Sequence, residues 1–350
     1  MRSSNRKLKT LNQLNCNEIR KSLDSACHWL LSQIDDDGCV GESDSISVYS
    51  KVPASLLACG QVPAACRVLS WIDRVAMDAE RRLVLSPQFE VDYPFSTYER
   101  AWVVRGALLG DRYDLVIELI NQIAEYQDAN TGGFWDTAAE KERGKGQQSC
   151  MTAGMAGMAL MACSQIEAAV KVGEFLSDAF EDQPQRTEGF YAVRDVGGCD
   201  QAGPFLEKNP MSYVDFYGTA QRPGRFGPVM VFLVRLYRIT GQMRFLDLAK
   251  KYANLFLDTE DKVFLCIECH KFLWGLAELY QVSPDDRYLE KIGKGLAYLL
   301  EFQQLGGYWV PTSQGVDLAE VEIQVAVSTN VLVGLTSYIN LLGDGHSPSS

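Results

Sequence analysis

The chain has 350 residues, 47% of them hydrophobic and 22% charged, and a formal net charge of −12. That is an ordinary globular balance with apolar material enough for one large core or two smaller ones. The negative charge argues against a phosphate-tracking nucleic-acid binder and against docking on anionic membranes, since both need basic faces.

The first residues are basic (Arg2, Arg6, Lys7, Lys9) but no apolar run follows them. Residues 1–17 therefore read as a disordered segment rather than a secretory signal, and the expected compartment is cytoplasmic. No stretch of 18 apolar residues occurs, so no membrane span is expected. Helical-period stretches then follow in pairs: 18–33 alone, 49–60 with 62–77, 97–109 with 115–126, 149–161 with 166–180, 227–239 with 244–257, and 268–280 with 287–302. A last apolar stretch covers 321–342, and 343–350 reads as a disordered tail.

Their character alternates. Stretches such as 101–109, 151–161, 229–236 and 272–276 are apolar nearly all round, as helices buried on every side must be. Partners such as 250–256 and 290–301 keep a charged face and read as an outer layer. The pattern predicts an all-α, (α/α)6 toroid of about six helical hairpins, a single domain over 18–342, closed by pairing of its first and last helices. Turns from inner to outer helices are short, as at Gly110-Asp111 and Thr240-Gly241, whereas connections back to inner helices are long. Long loops in a compact domain are usually functional, which predicts a cavity mouth on their side. The longest, 181–226, carries Phe190, Tyr191, Tyr213, Phe216 and Tyr217 and is expected to fold as a lid or short hairpin.

Three outer helices end alike: Gln33 before Gly38 and Gly41, Gln127 before Gly132-Gly133-Phe134-Trp135, and Gln303 before Gly306-Gly307-Tyr308-Trp309. A glycine free to take positive φ, followed by an aromatic folding back, makes a sound helix stop. The pattern also resembles the Gln–Gly–Trp repeat of the squalene cyclase and terpenoid cyclase toroids. That resemblance implies a cationic cyclisation or epoxide rearrangement of a hydrophobic, isoprenoid-bearing molecule, begun by a carboxylic acid. The chain departs from it in lacking the Asp-x-Asp-Asp acid motif, for which Asp35-Asp36-Asp37 is no match, and the aspartate-rich diphosphate motif. Carbohydrate-active hydrolases, lyases and epimerases share the same toroid, and the junction at 233–249 fits them equally.

Only His28, His270 and His346 are present, so a histidine-rich metal site is not expected, nor any metal or cofactor. Cys266-Ile-Glu-Cys269-His270 is a literal Cys-x-x-Cys-His string, read as the start of an inner helix rather than a haem or zinc site. Cys59, Cys66, Cys150 and Cys163 fall inside apolar patterns and read as reduced and buried. Acid–base chemistry falls to carboxylates where loops enter inner helices: Asp92, Glu99, Asp215, Glu268 and Glu322, with Asp136 and Glu320 beside them. Singly, each reads more readily as a helix cap or loop salt bridge. Tyr98, Trp102, Trp135, Tyr217, Arg225, His270, Trp274 and Trp309 are the candidate substrate contacts, either as core packing or as an aromatic wall able to shelter a cation. A carbohydrate enzyme predicts instead two facing carboxylates with Trp135 or Trp309 as a sugar platform. A non-catalytic binding toroid predicts a filled cavity or scattered acids.

Overall fold

Val48 to Ala58 illustrates how the inner layer forms. An apolar run with Pro53 in its first turn starts a helix where proline costs no hydrogen bond, and nearly all of it is buried. In the computed structural model, which describes residues 16–41, 46–84, 96–184, 187–197, 212–217, 222–261, 266–310 and 321–343, such helices alternate with amphipathic ones. In chain order these are α1 (Cys16–Ser32), a short α2 (Ile46–Tyr49), α3 (Val52–Ala58), α4 (Val62–Trp71, continued as a π-turn over Ile72–Ala76), α5 (Ser96–Leu109) and α6 (Tyr113–Glu125). The short α7 (Ala138–Arg143) precedes α8 (Cys150–Ala162), α9 (Ile166–Glu181), α10 (Gly227–Thr240), α11 (Met243–Leu257), α12 (Cys269–Val282), α13 (Asp286–Glu301) and α14 (Val321–Gly343).

Among the described residues, α3, α5, α8, α10, α12 and α14 each pack on the next, and α14 packs back on α3. The inner ring is therefore closed. Outside it, α4, α6, α9, α11 and α13 back their own inner partners, and α1 backs α14, as the expected pairing of first and last helices requires. In α8, every residue from Cys150 to Met161 is buried, and it carries no charge. Its Gly154 and Gly157 let α10 approach, because a Cβ at either would meet the Pro228 backbone or the Phe232 ring. In α13, by contrast, Tyr288, Leu289, Ile292, Leu296 and Leu299 form one buried stripe beneath a charged face.

The long connections carry the small amount of β-structure. Strand β1 (Gly146–Ser149) pairs antiparallel with β3 (Val193–Val196), and β2 (Gly189–Tyr191) with β4 (Tyr213–Asp215). The 181–226 loop thus contributes to two small sheets rather than one hairpin, one of them shared with the loop before α8. Strands of three or four residues leave too little alternation to be read from sequence. No helix among the described residues is long and apolar enough to cross a membrane. The 1–15 and 344–350 ends, Asp92 and Glu320 lie outside the described residues, as does the Glu322 side chain.

Candidate functional site

Glu99 and Glu268 stand on opposite sides of the inner ring, because α5 and α12 are separated by two helices in either direction. Glu99 lies in the first turn of α5 and is 1% exposed. Lys51, between α2 and α3, places its Nζ 2.8 Å from Glu99 Oε2 and 3.0 Å from Oε1, and the Ser50 hydroxyl donates to Oε2. Both Glu99 oxygens therefore accept hydrogen bonds in a desolvated ion pair, where removing one partner is costly. Glu268 is the N-cap residue of α12, yet its side chain does not cap the helix.

Tyr98 and Lys271 both lie within electrostatic reach of the two acids. Lys51 Nζ lies 5.4 Å from the Tyr98 ring centre and Lys271 Nζ 5.9 Å from it. Burial raises the Tyr98 hydroxyl's pKa far above its usual value, and the charges of Glu99 and Glu268 add to the effect, so the phenol keeps its proton. Burial also lowers the Lys271 ammonium's pKa, against the attraction of Glu268 and Glu99. Arg225, on the 3-10 turn Pro223–Phe226, is 3% exposed and pushed down to about 10 by burial, with Glu268 opposing. This turn abuts α12 so closely that a Cβ on Gly224 would collide with the Glu268 carbonyl.

One turn deeper, Trp102 of α5 and Trp274 of α12 meet across the ring with centres 6.4 Å apart, and Tyr98 packs edge-on to Trp102 at 6.3 Å. The Arg105 and Arg235 guanidinium groups stack on Trp274 at 5.3 and 5.8 Å, and Arg235 pairs with Glu278. Two indoles and two arginines thus form a floor beneath the acid pair. The chemical capacity of the site is that of two carboxylates from opposite inner helices, a protonated phenol and a lysine amine under the influence of both, and an aromatic base below.

The remaining expected residues lie elsewhere. Trp309 is fully buried, and its Nε1 donates to the Leu299 carbonyl at 2.8 Å, which fastens the end of α13. Trp135 is 4% exposed and bonded through its backbone to Tyr126. Reading either as a sugar platform gives way to reading them as anchors of the outer layer, where the fold-back hides the ring. Asp215 is exposed, caps its own turn by accepting from the Tyr217 N–H at 2.9 Å, and lies with the 74%-exposed Tyr217 beside α9 and α11. That places both on the outer wall, away from Glu99. His270 is 3% exposed and its Nδ1 is 2.6 Å from the Ile267 carbonyl, inside the first turn of α12.

Asp136 is buried 5% exposed behind the start of α5, and burial raises its carboxyl pKa well above the usual range despite nearby Arg100. It faces the α5 backbone near Ser96 and Thr97, not the gap between Glu99 and Glu268. Among the described residues no cluster of His, Cys, Asp and Glu is arranged to hold a metal. Sequence reasoning missed Ser50, Lys51 and Lys271. Their signal was a lysine inside an otherwise apolar inner-layer stretch, a residue type rarely buried without a partner.

No family model matches the sequence, and no curated relative matches it. Solved structures do. The chain is similar to the α-1,6-mannanase of glycoside hydrolase family 76 from Salegentibacter, with a TM-score of 0.64 and 10% identity over 92% of this chain and 99% of that one. The fold is the (α/α)6 toroid. A heparin-specific unsaturated glucuronyl hydrolase superposes with a TM-score of 0.62 and 12% identity, covering 93% of this chain and 97% of that one. A type II terpene cyclase from Scytonema, bound to geranylgeranyl dihydroxybenzoate, gives 0.57 and 12%, covering 93% and 99%. At such identities the likeness is one of architecture, and it spans both chemistries that the sequence left open.

Proposed function

We propose that this chain is a carbohydrate-active (α/α)6 enzyme, a glycoside hydrolase, lyase or sugar epimerase, working on the Glu99–Glu268 pair. The observation that carries the reading is that pair: two carboxylates from opposite inner helices, both acting electrostatically on Tyr98 and Lys271. Glycosidic chemistry needs carboxyls on either side of the bond being broken, one giving a proton and the other acting as base or nucleophile. Glu99 already accepts bonds at both oxygens, which suits it to the second role and leaves proton donation to Glu268. Lys51 and Ser50 position Glu99. Trp102 and Trp274 offer an apolar floor to a sugar ring, and Arg225 and Lys271 offer donors to its oxygens.

A second reading, a cyclase or isomerase protonating an isoprenoid-bearing molecule, draws support from the Tyr98–Trp102–Trp274 aromatic wall. Against it stand Lys51, Lys271 and Arg225 around the same phenol, which make that wall more polar than an isoprenoid chain needs.

The test compares turnover of α-1,6-manno-oligosaccharides, unsaturated uronyl disaccharides and geranylgeranyl dihydroxybenzoate. A sugar is expected to be converted, and Glu99→Gln and Glu268→Gln each to cost about 100-fold or more in kcat. Conversion of the prenylated compound alone would favour the second reading. Sugar turnover untouched by either substitution would sink the first, and no turnover of any compound, despite specific binding, would leave a binding toroid.

A further inference from the structure

At the ring's other end, where the short turns lie, a cavity of about 650 Å³ is lined by α1, the α3–α4 turn, α5 and Thr336 of α14. Tyr98, Glu99, Glu268 and Lys271 do not line it, so it stands apart from the site already described. Its walls are of two kinds. Leu23, Leu57, Val62 and Leu109 are aliphatic, and Val62 and Leu109 are about half exposed on the rim. Arg20 and Asp24, one turn apart on the exposed face of α1, and Arg105 of α5 supply the fixed charge.

Arg105 has no counter-ion. Its guanidinium stacks on the Trp274 ring at 5.3 Å, but among the described residues it makes no ion pair and donates no hydrogen bond, and its Nε is wholly covered. The neighbouring arginines are satisfied: Arg235 and Arg238 share the Glu278 carboxylate, and Arg238 also donates to Gln281 at 2.8 Å. Burial pushes Arg105 down to about 10, with Arg235 adding to the effect and Glu278 opposing, so the group stays a cation at neutral pH. A covered guanidinium is seldom left unpaired, because nothing then offsets its desolvation. In a chain of net charge −12, a cavity with two arginines against one aspartate is also a local reversal of sign.

We propose that this cavity is a second ligand site, which takes a small organic carboxylate with an aliphatic tail. The Arg105 guanidinium is a planar fork suited to a carboxylate, and Trp274 stacks on it to hold its plane. Leu23, Leu57, Val62 and Leu109 cover the tail, which removes the exposed aliphatic rim from water. A volume of about 650 Å³ is that of a small-molecule pocket. The single charge of the head follows from the balance of Arg20 and Arg105 against Asp24, since a doubly charged phosphate would leave one charge unmatched beside that carboxylate.

The experiment titrates the full chain with sodium octanoate by isothermal calorimetry, with octanol and octyl phosphate alongside. Octanoate is expected to bind at one site per chain with a Kd below about 1 mM, more tightly than the other two. Arg105→Gln should weaken it about tenfold or more, through loss of a charge-assisted bond. Because Arg105 also stacks on the floor of the first site, Leu109→Glu locates the binding. That side chain is half exposed, so the fold should tolerate the change, and the added negative charge on the rim should weaken octanoate to a similar extent. A circular-dichroism melt checks that each variant folds. Equal binding by wild type and Leu109→Glu would overturn the proposal. So would wild type that binds no octanoate, or that binds octanol or octyl phosphate as tightly, and those readouts require no variant to fold.

Discussion

His270 lies under the first turn of α12, with its Nδ1 against the Ile267 carbonyl and too little water nearby to solvate an imidazolium. Burial lowers its pKa from 6.5 to about 3, with the Lys271 charge adding to the effect. In the unfolded chain the ring takes up a proton as pH falls through 6.5, whereas in the folded chain it does not until about 3. The unfolded state thus binds more protons over that window, and stability must fall as pH drops through it. A urea midpoint measured at pH 7 and again at pH 5 should decrease in the wild type and decrease less in His270→Gln. Equal decreases would mean that other groups set the acid limit. The same burial holds the His270 imidazole neutral near pH 7. A histidine beside a loop reads as a site residue in sequence, and only the packing of α12 against α14 shows it to be covered. Lys51 and Lys271 are the converse case. Each sits in an apolar stretch, and Lys51 has its acidic partner Glu99 48 residues away in sequence, so nothing local announces that ion pair.

At the scale of elements, the glutamine–glycine–aromatic endings prove to be fasteners between successive hairpins. Gln127 Nε2 donates to Gly132 O in its own loop and to Ala168 O of α9, at 3.1 and 3.0 Å. Gln303 Nε2 does the same with Gly307 O and Ser22 O of α1, at 2.8 and 2.9 Å. The glycines take φ of +91° at Gly38, +80° at Gly132 and +96° at Gly307, and press on carbonyls of α4, α9 and α1 respectively. The motif was plain in the sequence, and so was the alternation of helices, because both are local. Its role as a clasp on the neighbouring hairpin was not, since the acceptors lie on another helix. Gly132→Ala is expected to cost roughly 2–5 kcal/mol, from the left-handed backbone plus a collision with the Lys171 carbonyl. Gly241→Ala, at φ +70° with open space around it, should cost only about 1–2 kcal/mol. Chemical denaturation of the two variants separates the terms, and equal losses would remove the clasp from the explanation.

For the whole molecule, the ring is joined by contacts between distant parts of the chain. Gln303 reaches Ser22 across 281 residues, and the Ser55 hydroxyl reaches the Thr329 carbonyl across 274. Each other hairpin meets a neighbour close in sequence. Contacts that close so long a loop repay their entropy only when the intervening hairpins stand, so they are the first to open. Amides of α1 and α14 should therefore exchange with deuterium faster than those of α8 and α10, as read by peptide-level mass spectrometry. Uniform protection around the ring would contradict this.

Opposite placement of Glu99 and Glu268 also governs the order of assembly. Neither carboxylate has its counterpart within its own hairpin or the next one, so no stack of fewer than four hairpins contains both. During refolding from denaturant, helical circular dichroism should return first as local hairpins form. The proposed activity should follow as one later step, at the rate with which α14 meets α3. The proposed site is not assembled piece by piece; it comes into being when the circle closes.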